Sequence, residues 1–355
     1  MHLNKLALIW VLGAVAVGSA IALKNPTTTS EESHRLAKFG IERKGEYTGI
    51  HGVDWFNDYQ DALVKAGKED KPVLLLSMFG RLDEPVACAN ARTLRATLFK
   101  DPDFQKFITE EAVPAWEMVR EVPKITIDLG DGKPIHRTVR GNAVMYLCNS
   151  KGHVIDVFPR LYTGEDIMPE LRESWKALKN AGPEEIAKYH AAKQQKPREF
   201  INQLRAPITT GKSAVESPVL DLMDEPNLLT DTETRVGNTE GRDLKQYRKF
   251  LMQSRYLTDT SLYAGTPRNL AEATGVVIPQ NATPEEIGQL FIKNDSYRNM
   301  SWVRSSVQNW FMSLTKPVTP LEARENILWN MLKIPYQDPS FGIREVLMPG
   351  TPEDL

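Results

Sequence analysis

The sequence predicts an α/β protein: a mixed sheet-and-helix domain, then a mainly helical C-terminal domain, behind an N-terminal hydrophobic segment. Three observations carry this expectation. Residues 73–78, "VLLLSM", form a continuous apolar run of strand length. Between residues 124 and 158, two pairs of alternating segments are separated by glycine-containing turns, "GDG" and "NSKG". Beyond residue 183, few segments alternate, and apolar residues recur mostly at helical spacing.

At 355 residues the chain suggests about two domains, and 41% hydrophobic with 25% charged residues is enough to build cores. The 44 basic and 46 acidic residues leave a net charge of −2, which argues against a polyanion-binding surface and against nucleic acid as a partner. Two cysteines allow at most one bridge and no disulfide framework.

Leu6 to Leu23 is an uncharged apolar run of 18 residues, preceded by Lys5. It reads as a membrane anchor or a signal peptide, with Ala20-Ile21-Ala22 as a small-x-small cleavage site. Either reading places the rest in a non-cytoplasmic space, periplasm or ER-type lumen, with the membrane as a partner if the segment is kept. Residues 24–48, containing "TTTSEES", read as a polar linker. Residues 49–182 form the α/β domain and 183–355 the mainly helical one, whose role the sequence does not show.

Within 49–182, Trp55, Tyr59, Ala62, Leu63 and Ala66 share helical spacing, and the strand 73–78 comes next. "RLDEPVA" is a loop, and a second helix runs from Cys88 through "ANARTLRATLF". A short helix over "PDFQKFITEEAV" leads to "PAWEMVRE", a strand or its approach. Then come two hairpins, "KITIDLGDGKPIHRTV" and "AVMYLCNSKGHVIDVF", and the helix "TGEDIMPELRESWKAL" closes the unit. This order fits a thioredoxin-like arrangement. Further helices are expected at 183–205, 242–256, 284–292, 300–313 and 320–332, with Trp302, Trp310, Phe311 and Trp329 at spacings that suit a core.

Cys88 stands where an apolar strand has ended and a helix begins. A helix's first turn favours a thiolate, and Arg92 and Arg95 add positive charge nearby, while Asp83 and Glu84 oppose it. The competing reading is a buried cysteine acting as a small hydrophobe. Cys148 alternates with Tyr146 and Val144 in an apolar strand and reads as core. A bridge to Cys88 is not expected.

The stretch from "VACANARTLRATLFKDPDFQKFITEEAVPAWEMVRE" through "NAVMYLCNSKGHVIDVF" resembles selenoprotein N and its bacterial relatives. That family carries a Cys-Sec-Gly-Ser-Gly-Arg-Thr-Leu-Arg type of motif in a thioredoxin-like fold. Cys88 falls at the selenocysteine, and Arg92-Thr93-Leu94-Arg95 matches the Arg-Thr-Leu-Arg that ends the motif. The Trp116 segment and the Asn149–Gly152 turn also correspond. The likeness spans roughly residues 70–165. It implies a thiol redox role centred on Cys88, with Arg92 supporting the thiolate. This chain departs from the family at Ala87, where the neighbouring cysteine would stand. Asn142 takes the place of the proline that often precedes the strand beside a thioredoxin-like site. No EF-hand loop is present.

The expected function is therefore an exported or membrane-anchored thioredoxin-like protein using Cys88 alone, its partner a protein or small-molecule thiol or disulfide. The alternative is a non-catalytic protein-binding module of the same fold. A catalytic Cys88 should be partly exposed, a structural one buried. No cofactor and no metal site are expected: the six histidines lack metal spacing, and His136 and His153 read as strand packing. Asn281, Asn294 and Asn299 match the glycosylation pattern.

Overall fold

A computed structural model describes residues 30–205 and 292–341, save a few positions within 129–140 and 294–298. The expected anchor or signal, residues 1–23, and the helix expected at 242–256 lie outside the described residues. No helix among the described residues is long and apolar enough to cross a membrane.

The chain is α/β, built on a mixed seven-stranded sheet. Its elements begin with α1 (Ser30–Ala37), β1 (Ile41–Lys44), β2 (Tyr47–Ile50), β3 (Val53–Phe56), α2 (Tyr59–Glu69) and β4 (Val73–Phe79). Next are α3 (Ala89–Ala96), α4 (Pro102–Lys106), β5 (Val113–Arg120), and a separate two-stranded hairpin of β6 (Lys124–Ile127) and β7 (Ile135–Thr138). The sheet resumes with β8 (Ala143–Cys148) and β9 (Val154–Pro159), and α5 (Gly164–Leu178) and α6 (Pro183–Arg205) come after it. The last described elements are α7 (Arg304–Met312) and α8 (Pro320–Glu325).

The strand order is β1-β2-β3-β5-β4-β8-β9. The pairs β3–β5 and β5–β4 are parallel, and the others are antiparallel. Every residue of β4, β8 and β9 is buried, so these strands are covered on both faces. That explains why β4 reads as an apolar run rather than as clean alternation.

Two expectations are corrected here. The linker placed at 24–48 is folded from Ser30 onward, as α1 and the edge hairpin β1–β2. Its polar residues form the outer side of elements that bury only Leu36, Ile41, Thr48 and a few neighbours. Four-residue strands offer too few alternations to register as a pattern. Trp55, expected on a helix, lies in β3 and is fully buried. The helix starts later because the Asp58 side chain caps it, accepting from the N–H groups of Gln60 and Asp61.

The described elements of 183–355 are helical, and they pack on the sheet within one continuous core that runs from Leu36 to Phe341. Arg304 of α7 reaches Asp156 of β9 with two hydrogen bonds of 2.5 and 2.9 Å, and its guanidinium lies 4.3 Å from the centre of the Phe158 ring. Both charged residues are buried. Ser174 donates to the same carboxylate at 2.6 Å, while Glu170 approaches Arg304 and also accepts from Lys193. Burial works against the charge on Asp156, but Arg304, His190 and Ser174 outweigh it and hold its carboxyl below the usual range.

His190 stacks on Phe311 with ring centres 4.0 Å apart. Its Nε2–H donates to Ile155 O at 3.0 Å, and its buried Nδ1 has no hydrogen-bond partner among the described residues. Burial lowers its pKa, with the Asp156 charge opposing. A histidine held neutral in the fold takes up a proton more readily when unfolded. Stability should therefore fall as pH drops below about 6.5, by up to about 1.4 kcal/mol per unit. Urea midpoints at successive pH values should show this slope in the native chain and a shallower one in His190→Gln; equal slopes would contradict it.

The Asn299 amide is buried and donates to Leu161 O at 2.7 Å, so in this fold it has no room for a glycan. His136 and His153 are not cross-strand neighbours: His136 pairs with Thr126 in the small hairpin, whereas His153 sits in the turn before β9.

Candidate functional site around Cys88

Cys88 lies just past the central strand. Its N–H donates at 3.1 Å to the carbonyl of Phe79, the last residue of β4, across a loop closed by a bridge between Gly80 and Ala87. Cys88 is the N-cap of α3, and its sulfur accepts the Ala91 N–H at 3.5 Å. Sulfur therefore occupies the position where a serine or aspartate oxygen usually caps a helix. Developing negative charge on it would face the positive end of the helix dipole.

The thiol also donates to Asn142 O at 3.3 Å. Asn142 directly precedes β8, the neighbour of β4, so the sheet itself brings these two residues together. The Asn142 Oδ1 accepts from Asn90 Nδ2 at 2.6 Å and from the Ala143 N–H at 2.8 Å. This locks the side chain at the residue that leads into β8. Gly141 is required beside it: its φ is +86°, and a Cβ there would stand 3.0 Å from the Cβ atoms of Cys88 and Phe79.

The site is closed. Cys88 is fully buried. Thr138 of β7 bonds to Ala87 O at 3.2 Å, tying the small hairpin over the helix start. Arg95 is itself buried and donates to the carbonyls of Leu82, Glu84 and Pro85 at 2.9–3.2 Å, holding the loop that precedes the cysteine. Arg43 and Arg81 meet Asp83 from outside, at 3.1 and 2.7 Å. Asp83 and Glu84 are thus engaged by arginines of the loop and the edge hairpin.

Arg92, expected to support the thiolate, is half-buried one turn along α3, and its backbone N–H donates to Cys88 O. Thr138 and Gly141 belong to the site without standing in any motif of the sequence, and Asn90, inside the quoted stretch around Cys88, has no expected role there. The available signal is the repeat of asparagine at 90 and 142, one on each segment that meets at the site.

Cys148 is core, as expected. It pairs with Val73 at the start of β4, whereas Cys88 lies beyond the end of that strand, so about 20 Å separates them. No bridge is possible at that distance, and both thiols are free. Burial pushes the Cys148 thiol up to about 12; a hydrogen bond with Tyr59 opposes that rise and the Glu117 charge adds to it.

A hollow of about 400 Å³ lies at the start of α5, bordered by Lys100, Asp101, Gly164 and Lys293. Thr163 already caps that helix, and the Asp101 carboxylate sits against Gly164. No group of three or more histidine, cysteine, aspartate or glutamate residues among the described residues could hold a metal ion. No family model, no curated protein and no solved structure matches this chain.

Proposed function

We propose that this chain is a thioredoxin-like thiol redox protein of the selenoprotein N type, exported or membrane-anchored, which uses Cys88 alone. The observation that carries the reading is the sulfur at the helix N-cap, set between the Ala91 N–H and the residue preceding β8. The parallel triplet β3-β5-β4 continued by antiparallel β8 and β9 supports the thioredoxin-like assignment, as does the contact between Cys88, beyond the end of β4, and Asn142, before β8.

In the reaction, the Cys88 thiolate attacks one sulfur of a partner disulfide. A new S–S bond forms, the old one breaks, and the released sulfur leaves as a thiolate that takes up a proton. An external thiol then attacks the mixed disulfide and leaves as half of a new disulfide, regenerating Cys88. With Ala87 and Ala91 flanking the site and Cys148 at the far end of the sheet, that second thiol must come from outside.

The full burial of Cys88 favours a second reading, a protein-binding module of the same fold with an inert cysteine. The two separate on the pH dependence of Cys88 alkylation in the full chain carrying Cys148→Ala, with Cys88→Ser as the blank. The redox reading expects labelling of the folded protein with a midpoint well below the free value of about 8.5. Labelling only on global unfolding, or a midpoint at or above that value, would establish the binding module instead.

A further inference from the structure

Beyond α8 the chain returns to the end of the sheet beside Cys88. Residues Asn326–Met331 continue α8 as a π-helical turn, in which the Leu332 N–H reaches back to Ile327 O at 3.0 Å. The wider turn gives the core positions to Ile327 and Leu328 and carries Trp329, expected in the core, outward to half exposure. A tight turn follows, in which the Asp338 N–H bonds back to Pro335 O at 3.1 Å and the Phe341 N–H to Asp338 O at 3.0 Å.

This turn is fastened across two strand ends. Arg120, the last residue of β5, pairs with Phe79, the last residue of β4. The Arg120 guanidinium donates to the carbonyls of Tyr336, Asp338 and Pro339 at 2.7–3.2 Å and lies 4.5 Å from the centre of the Phe341 ring. That ring stands edge-on to Phe79 with centres 5.2 Å apart, and both phenylalanines are fully buried. Phe341 has a left-handed backbone, φ +55°, which a bulky side chain rarely adopts. Its insertion is therefore imposed by the contacts around it, against local preference.

Phe79 is also a wall of the Cys88 site. Its carbonyl accepts the Cys88 N–H, and a Cβ on Gly141 would meet the Cβ atoms of Phe79 and Cys88 alike at 3.0 Å. We propose that residues 335–341 are an autoinhibitory strap: seated on Arg120 and Phe79 they close the Cys88 site, and their release frees Phe79 to move and opens the thiol to a partner. The proposal rests on the redox reading of Cys88. One guanidinium holds three carbonyls and the ring, while Gln337 and Pro339 are exposed, so a partner that grips the turn or competes for Arg120 detaches the segment as a unit. The strain at Phe341 favours that release.

The test takes the plateau rate of Cys88 alkylation, above its pH midpoint, in the full chain carrying Cys148→Ala, together with urea stability. Phe341→Ala and Arg120→Met are each expected to raise this rate about tenfold or more beyond what their loss of global stability accounts for, as local opening requires. Phe341→Leu keeps the apolar bulk, and its rate should lie between; it carries the test alone if the alanine variant does not fold. A rate that rises only as far as global stability falls, or does not rise, would overturn the strap. The pH midpoint judges the redox reading separately. A fast strap variant with a midpoint at or above the free value of about 8.5 keeps the closure and removes the thiolate. Unchanged rates with a low midpoint remove the strap and keep the thiolate.

Discussion

Arg304→Ala is expected to destabilise the protein by about 3–5 kcal/mol, because it leaves the Asp156 carboxylate buried without its counter-charge. The remaining hydrogen-bond donors, the Ser174 hydroxyl and the Val157 N–H, carry no charge. The guanidinium also covers the Phe158 ring, so packing is lost with the charge. Urea denaturation of the full chain, followed by far-ultraviolet circular dichroism, would measure the loss; a change under about 1 kcal/mol would contradict the role assigned to the pair. Combining Arg304→Met with Asp156→Leu should recover much of the stability, since replacing both charges by apolar groups removes the unpaired ion. The pH dependence has a definite sign. The Asp156 carboxyl is held below its ordinary value, so its contribution is present above about pH 3.9 and is lost as pH falls through the lowered folded value.

Arg95→Met should open the loop over Cys88. The guanidinium is the buried donor to three carbonyls of residues 82–85, and methionine fills similar space while donating nothing. A stability loss of about 2–3 kcal/mol is expected. The more telling quantity is the labelling rate of Cys88 in the Cys148→Ala background, which should rise about tenfold or more at concentrations of urea where the rest of the fold persists, as local opening requires. If the rate rises only as far as global stability falls, the loop does not gate the thiol. A rate unchanged from the parent would remove Arg95 from any role in access.

Several elements are legible in the sequence because local and global preferences agree there. The run at 73–78 reads as a strand, observed over Val73–Phe79, since a strand buried on both faces has little but apolar residues to show. The 143–159 hairpin announces itself through Asn149, whose side chain accepts from the Lys151 and His153 N–H groups and sets the turn, with Gly152 at φ +81°. The site is half legible. Cys88 at a helix start and Asn142 before a strand can be named, but their 3.3 Å contact depends on β4 and β8 being neighbours. Arg95 looks like a charge available to the thiol, because a sequence does not distinguish a cation facing a sulfur from one facing carbonyls. Trp329 is hidden for a different reason: one extra residue in a helical turn shifts every later position around the axis, and spacing alone carries no sign of it.

The tie between Asp156 and Arg304 spans 148 positions of the chain. At ribosomal rates of about 5–20 residues per second, the carboxylate emerges about 7–30 seconds before the arginine that neutralises it. Arg120 waits longer still for the Tyr336 and Asp338 carbonyls, 216 and 218 positions away. The nascent sheet must therefore persist with an uncompensated acid on β9 and an open end beside Phe79, and these are the surfaces on which a chaperone or a premature neighbour would act. Completion of the core is set by the arrival of the described residues between 292 and 341, not by the closing of the sheet.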